Sequence, residues 1–125
     1  MIDTNKIYDV AVVGSGPSGL TAAIYTTRGA LSTVIVGGSS WGGQLMLTSE
    51  VDNFPGFPEG IMGPALMENM KNQAVRFGAE FIQDNVTKVD FSSVPFKLTT
   101  NSQQLMARSV IIATGAETKI GRAHV

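Results

Sequence analysis

The run Gly14-Ser15-Gly16-Pro17-Ser18-Gly19 constrains this chain more than any other feature. It follows the apolar stretch Tyr8-Asp9-Val10-Ala11-Val12-Val13 and opens the alanine-rich stretch Leu20-Thr21-Ala22-Ala23-Ile24-Tyr25. A β-branched run, a glycine turn and a helix in that order read as the start of a doubly wound α/β fold, at the point where a dinucleotide pyrophosphate is held. Each glycine has a separate task. Gly14 allows the tight turn. Gly16 lets the backbone approach the phosphates because it has no Cβ. Gly19 lets the helix pack close to the strand. The free N–H groups of the first helical turn then face the anion, aided by the helix dipole.

The periodicity downstream extends this start into a domain. Residues 10–13 read as a buried strand, residues 17–28 as a helix stopped by Gly29, and residues 32–36 as a second, parallel strand. That order is a βαβ unit, for which a right-handed crossover is expected. Residues 37–62 form a long loop containing glycine and proline, a length usual for functional segments. Pro64 suits the first turn of a helix that Gly78 ends. On that helix Met67, Met70, Ala74 and Phe77 share one face, with Glu68, Lys71, Asn72 and Arg76 mostly on the other. Residues 80–83 make a third short strand. Residues 86–91, 96–100 and 104–107 read as a small antiparallel meander, turning at Ser92-Ser93 and Asn101-Ser102. Residues 110–114 are a last buried strand, ending at Gly115-Ala116.

Composition narrows the chemistry. The 125 residues are 43% hydrophobic and 15% charged, which suits one globular domain. A net charge of −1 without a Lys/Arg run argues against nucleic acid or a membrane surface as partner. The apolar stretch from Val10 is too short to span a bilayer, and a soluble, cytoplasmic protein is the expectation. With no cysteine and one histidine, the chain forms no disulfide, thiolate nucleophile, cysteine-ligated zinc site or histidine-cluster metal site. No metal is expected, and no residue reads as a proton-transfer or nucleophilic catalyst. Glu50 and Asp52 read as solvated or capping groups. Met67, Met70 and Phe77 read as core, and Tyr25 as packing on the sheet. Trp41 reads equally as a ligand-stacking ring or an exposed loop aromatic. Asn53 by itself reads as a turn former before Pro55.

Four blocks together resemble the N-terminal part of the low-molecular-weight thioredoxin reductases. They are Gly14-Ser15-Gly16-Pro17-Ser18-Gly19, Gly42-Gly43-Gln44-Leu45, Glu50-Val51-Asp52-Asn53-Phe54-Pro55-Gly56 and Ala113-Thr114-Gly115-Ala116. The second and third are the specific ones. The ferredoxin–NADP reductases, an alternative, keep Gly-Gly-Gln-Leu but generally lack Asn-Phe-Pro-Gly. The resemblance implies a Rossmann-like, three-layer FAD domain with a small antiparallel meander. It implies FAD as cofactor, with NADPH bound by a later domain of the full-length parent. On this reading Ser15, Gly16, Pro17 and Ser18 line the pyrophosphate between Gly14 and Gly19. Gly43, Gln44, Leu45 and Asn53 approach the flavin side. Val86 supports the adenine through its backbone, and Ala113, Thr114 and Gly115 pass beside the cofactor. The parent passes electrons from NADPH through FAD to a Cys-x-x-Cys pair and then to thioredoxin or a similar small disulfide protein, and a homodimer is implied.

Two features depart from this pattern. The acidic residue that binds the adenosine ribose ordinarily ends the second strand, and here that position is Gly37. Affinity is expected to fall by roughly 1.5–3 kcal/mol, the worth of a charged hydrogen bond, unless backbone or water compensates. The resemblance also stops at Lys119. The string Ile120-Gly121-Arg122-Ala123-His124-Val125 resembles one reading frame of a short-read sequencing adaptor. Residues 1–118 are therefore expected to be the FAD-domain portion and 119–125 a non-native tail, leaving His124 without a role. Lacking the dithiol and the NADPH domain, the chain is expected to be inactive by itself; an inactive truncated nucleotide-binding fragment is the remaining alternative.

Overall fold

The computed structural model describes residues 6–115, so residues 119–125 lie outside the described residues. The elements run β1 (Ile7–Val13), α1 (Pro17–Arg28), β2 (Thr33–Val36), a 3-10 helix (Gly43–Leu47), β3 (Glu50–Val51), β4 (Ile61–Met62), α2 (Gly63–Arg76), β5 (Glu80–Ile82), β6 (Val86–Asp90), β7 (Phe96–Thr100) and β8 (Gln104–Ile112). One six-stranded sheet has the order β5-β2-β1-β8-β7-β6, with β3 and β4 paired separately. Strands β5, β2, β1 and β8 run parallel, and β8, β7 and β6 run antiparallel.

The strand–helix–strand start follows the sequence reading closely, but β1 begins earlier, at Ile7. Asp9 interrupts the apolar run without ending the strand because its carboxylate is satisfied locally. It accepts the Ser32 N–H at 2.9 Å, and the Asp9 N–H donates to the Ser32 hydroxyl at 2.9 Å. The two strands expected over 104–107 and 110–114 are one. Residues Gln104–Ala107 pair with β7, while β1 pairs from Met106 to Ile112. Arg108 and Ser109 are the polar gap between those two expected strands. Ser109 donates to the Asp9 carbonyl at 2.6 Å and Arg108 lies 3.9 Å from the Asp9 carboxylate. Both polar side chains are thus served at the strand surface, and the backbone runs on. The loop over 37–62 is also more ordered than expected, since it contains the 3-10 helix and the β3–β4 pair.

Two apolar clusters define the layers. Val10, Val12 and Ile35 of the parallel strands pack with Leu20 and Ala23 of α1 and Leu66, Met67, Met70 and Ala74 of α2. Ala11, Val34 and Val36 pack instead with Leu98, Leu105 and Ala107. Strand β7 is three places from β2 in the sheet, so Leu98 reaches this cluster only because the antiparallel end curls over the parallel face. The result is helices, parallel sheet and meander, the three-layer α/β architecture. Tyr25 differs from expectation: it is 75% exposed on the outer side of α1.

Helix α1 ends at Gly29 as its C-cap, but Gly29 has φ −82°. The left-handed position falls on Ala30, with φ 64°. A Cβ there clashes with the neighbouring carbonyl. Ala30→Gly is expected to raise stability by roughly 0.5–1 kcal/mol, read as a higher urea midpoint with an unchanged m-value.

Candidate binding cleft

The glycine turn is clamped between the ends of two strands. Gly14 N–H donates to the Val36 carbonyl at 3.0 Å, and Ala113 N–H donates to the Val13 carbonyl at 2.8 Å. Gly14 has φ +121°, and a Cβ on it would lie 1.9 Å from the Ala113 carbonyl oxygen. A Cβ on Gly19 would lie 2.6 Å from the Gly14 carbonyl oxygen, so α1 packs against the turn itself. Gly16 differs from both. It is the N-cap of α1, Pro17 follows at the helix start, and no side chain caps the end. The nearest atom to a Cβ built on Gly16 is the Gly43 Cα, at 4.0 Å. The helix N-terminus, with its unpaired N–H groups and partial positive charge, is thus open.

Ser15 fixes the opposite wall. It is only 4% exposed. Its hydroxyl donates to the Gly37 carbonyl at 2.8 Å and accepts the Gly42 N–H at 2.9 Å. The single O–H proton is therefore committed to the protein, and the hydroxyl has none left to give a ligand. The same bonds draw the Gly42-Gly43 segment onto the turn: a Cβ on Gly43 would lie 3.3 Å from the Gly16 Cα.

Between these walls lies a cleft of about 250 Å³ lined by Gly14, Ser15, Gly16, Pro17, Ser18, Gly43, Gln44, Leu45, Ala113, Thr114 and Gly115, with Gly37 and Ser40. It adjoins a larger open cleft of about 900 Å³, with Gly14, Gly37, Ser40, Gly43, Gln44 and Thr114 common to both. Val86 lines the larger cleft. The structure therefore gathers the residues singled out in sequence, with two exceptions. Gly19 lies beneath the turn, and Asn53 is exposed in the segment between β3 and β4, lining neither cleft. Trp41, read in sequence as a ligand-stacking ring or an exposed loop aromatic, lines the larger cleft, as do residues that sequence reasoning missed: Gly38, Ser39, Met46, Asp84 and Asn85. The Asp84-Asn85 pair after the third strand was the available signal, because ligands of open α/β sheets bind at the carboxyl ends of strands. Trp41 is half-buried and meets Phe81 edge-to-face at 5.5 Å, with the Lys71 ammonium 4.8 Å from its ring.

Asp84 is the one carboxylate lining the two clefts among the described residues. The Ser102 hydroxyl, then the Thr100 hydroxyl, holds its carboxyl below the usual range, against a smaller opposing effect of desolvation. Asp90 is lowered chiefly by the Ser92 hydroxyl and N–H. A carboxyl lowered by folding contributes stability above its unfolded value and loses it as pH falls through the folded value. The urea midpoint should therefore be insensitive to these groups at neutral pH and fall below pH about 4. Ser102→Ala should make that acid limb shallower.

A glycine-clamped helix N-terminus at the carboxyl ends of parallel strands, lined by amides without a lysine or arginine, defines a nucleotide-binding domain of the doubly wound α/β class. The chain belongs to the pyridine nucleotide-disulphide oxidoreductase family, whose model matches residues 8–123. Its relatives include thioredoxin reductases. It is 51% identical over 111 residues to the thioredoxin reductase of Rickettsia felis, covering 88% of this chain and 36% of that protein. It is 50% identical over 125 residues to thioredoxin reductase 2 of Arabidopsis thaliana, covering 94% and 32%. The solved thioredoxin reductase from Gloeobacter violaceus superposes with a TM-score of 0.87 at 37% identity, covering 94% of this chain and 37% of that one. The chain thus spans about a third of the length of the relatives it matches.

Proposed function

We propose that this chain forms the FAD-binding part of an NADPH-dependent thioredoxin-disulfide reductase. The observation that carries the reading is the open space over Gly16 at an uncapped helix N-terminus, within a cleft that continues as far as Val86. A Cβ there would occupy the ground a pyrophosphate needs, while the amides of Ser15, Gly16, Ser18 and Gly19 supply donors without a cationic side chain. Pro17 has no N–H and presets the backbone of the first turn. Val86 then supports the adenine, and Gln44, Leu45 and Asn53 meet the flavin side. Asn53, exposed and outside both clefts, would meet the flavin only at the margin of the site. Ala113, Thr114 and Gly115 flank the cofactor from the end of β8.

FAD when bound supplies two-electron transfer between a nicotinamide and a dithiol. The residues of this chain bind and orient it and move no proton. The chain contains no cysteine, so the exchanging dithiol lies elsewhere in such a reductase, and we assign the NADPH site and the surface that meets thioredoxin to the same remaining two thirds. We place that reductase in the cytoplasm as a homodimer.

The reading is tested by titrating FAD into the chain and following flavin fluorescence. Saturable one-to-one binding, with FMN bound far more weakly, is expected, because FMN lacks the adenosine half that the larger cleft takes. Equal binding of both, or of neither, would overturn it. A chimera tests the activity. Residues 8–118 in place of the matching segment of the Rickettsia felis relative should support NADPH-dependent reduction of thioredoxin; a folded, flavin-loaded chimera without that activity would refute the assignment.

A further inference from the structure

We infer that Asp84, at the carboxyl end of β5, accepts the adenosine ribose hydroxyls of the bound dinucleotide in place of the acidic residue that β2 lacks. The inference rests on the cofactor reading above and assigns a residue that the sequence pattern does not mark.

The usual position is crowded: a side chain there would have to displace the Phe81 ring. A Cβ on Gly37 would lie 2.6 Å from the Phe81 Cζ. That ring is held in place, with Trp41 edge-on at 5.5 Å and the Lys71 ammonium 4.5 Å from its centroid. Phe81 thus fills the volume that an acidic side chain from the end of β2 would cross, and Gly37 is the residue that fits beneath it. The loss at position 37 is therefore coupled to an aromatic residue on the neighbouring strand.

The same neighbouring strand supplies a carboxylate. Strand β5 pairs in parallel with β2 up to Val36 and Ile82. Beyond that pair, Gly37 N–H donates to the Ile82 carbonyl at 2.8 Å and Gly38 N–H to the Asp84 carbonyl at 2.9 Å. Asp84 therefore sits at the same end of the sheet as Gly37, one strand over, on the larger cleft. Its orientation is fixed before any ligand arrives. The Thr100 hydroxyl and the Ser102 hydroxyl each donate to Oδ2 at 2.6 Å, and Ser102 N–H donates to it at 3.2 Å. None of these three bonds falls on Oδ1, and a carboxylate accepts about four in all; the Asn85 N–H also favours its charged form, which leaves limited capacity for a ribose hydroxyl. Asn85 is a weaker candidate. Its amide already accepts the Ser39 N–H at 3.0 Å and donates to the Ser39 hydroxyl at 3.3 Å, and a neutral acceptor binds a hydroxyl less strongly than a charged one.

Calorimetry with ADP and 2′,3′-dideoxy-ADP tests this on the chain itself. The unaltered chain should prefer ADP by roughly tenfold to a hundredfold, the worth of a charge-assisted hydrogen bond. Asp84→Asn retains an oxygen for Thr100 and Ser102, so its fold should persist, but the preference should shrink to about threefold or less. Ser102→Ala loosens the same turn while keeping the carboxylate, and should keep the preference; this separates ligand contact from a purely structural role. Returning the acid to its usual place with Gly37→Asp and Phe81→Leu should restore the preference in Asp84→Asn. An unaltered chain that binds both nucleotides equally, or an Asp84→Asn chain that still discriminates, overturns the inference while leaving FAD binding intact. Failure to bind both FAD and ADP overturns it together with the cofactor reading.

Discussion

Gly14→Ala is expected to cost at least about 3 kcal/mol of unfolding free energy. Two effects add. The backbone at φ +121° lies where a side chain is strained in any surroundings, and the new methyl would sit 1.9 Å from the Ala113 carbonyl oxygen. That oxygen belongs to backbone, so no rotamer change removes the overlap. Relief requires the end of β8 to move away from β1, which breaks the bond from Ala113 N–H to the Val13 carbonyl. Because β1 is the strand between β2 and β8, the disturbance reaches the middle of the sheet. A domain of this size holds only about 5–15 kcal/mol in total, so a large fraction of its stability is at stake. Urea unfolding measures the effect. A change under about 1 kcal/mol would mean that the turn and the β8 end separate freely, and the clamp described above would be wrong.

Gly16→Ala should do the reverse, sparing the fold and removing the ligand. Gly16 has φ −74° and ψ −172°, which any residue adopts, and its Cβ position has 4.0 Å of clearance. The stability change should stay within about 1 kcal/mol, the difference between glycine and alanine at a helix N-cap. On the proposed function the added methyl would stand where the pyrophosphate approaches the helix N-terminus, so FAD affinity should fall roughly a hundredfold or more. Fluorescence titration beside a urea curve on the same sample checks both halves. Unchanged affinity would place the phosphates elsewhere. The two glycines lie two residues apart in one motif, yet the fold requires one of them and, on the proposed function, the cofactor requires the other.

The comparison of sequence with structure turns on what is local. The extent of α1 was legible to the residue because Gly16, Pro17 and Gly29 are start and stop signals that act within a single turn. The face of α2 that carries Met67, Met70 and Ala74 followed from helical spacing, and all three are buried. Tyr25 was misplaced because position 25 of a helix with apolar residues on several sides does not say which of them meets the sheet. Strand β8 reads as two pieces in sequence because the polar pair Arg108-Ser109 interrupts its apolar run, and only its partner Asp9, a hundred residues earlier, shows why the chain stays extended there.

For the cleft the division is similar. The sequence by itself determined the helix N-terminus, the glycine turn that precedes it, and the absence of a thiol. Those depend on residue type and short spacing. It determined equally that position 37 carries no acid. Only the tertiary structure decided that Phe81 fills that place, that Ser15 spends its hydroxyl on the protein, and that Asp84 arrives at the same end of the sheet. Each of these depends on which strands become neighbours. Strand order is set by burial of both faces of the sheet beneath the helices and the curled meander, a property of the whole packed chain that no short stretch of it encodes.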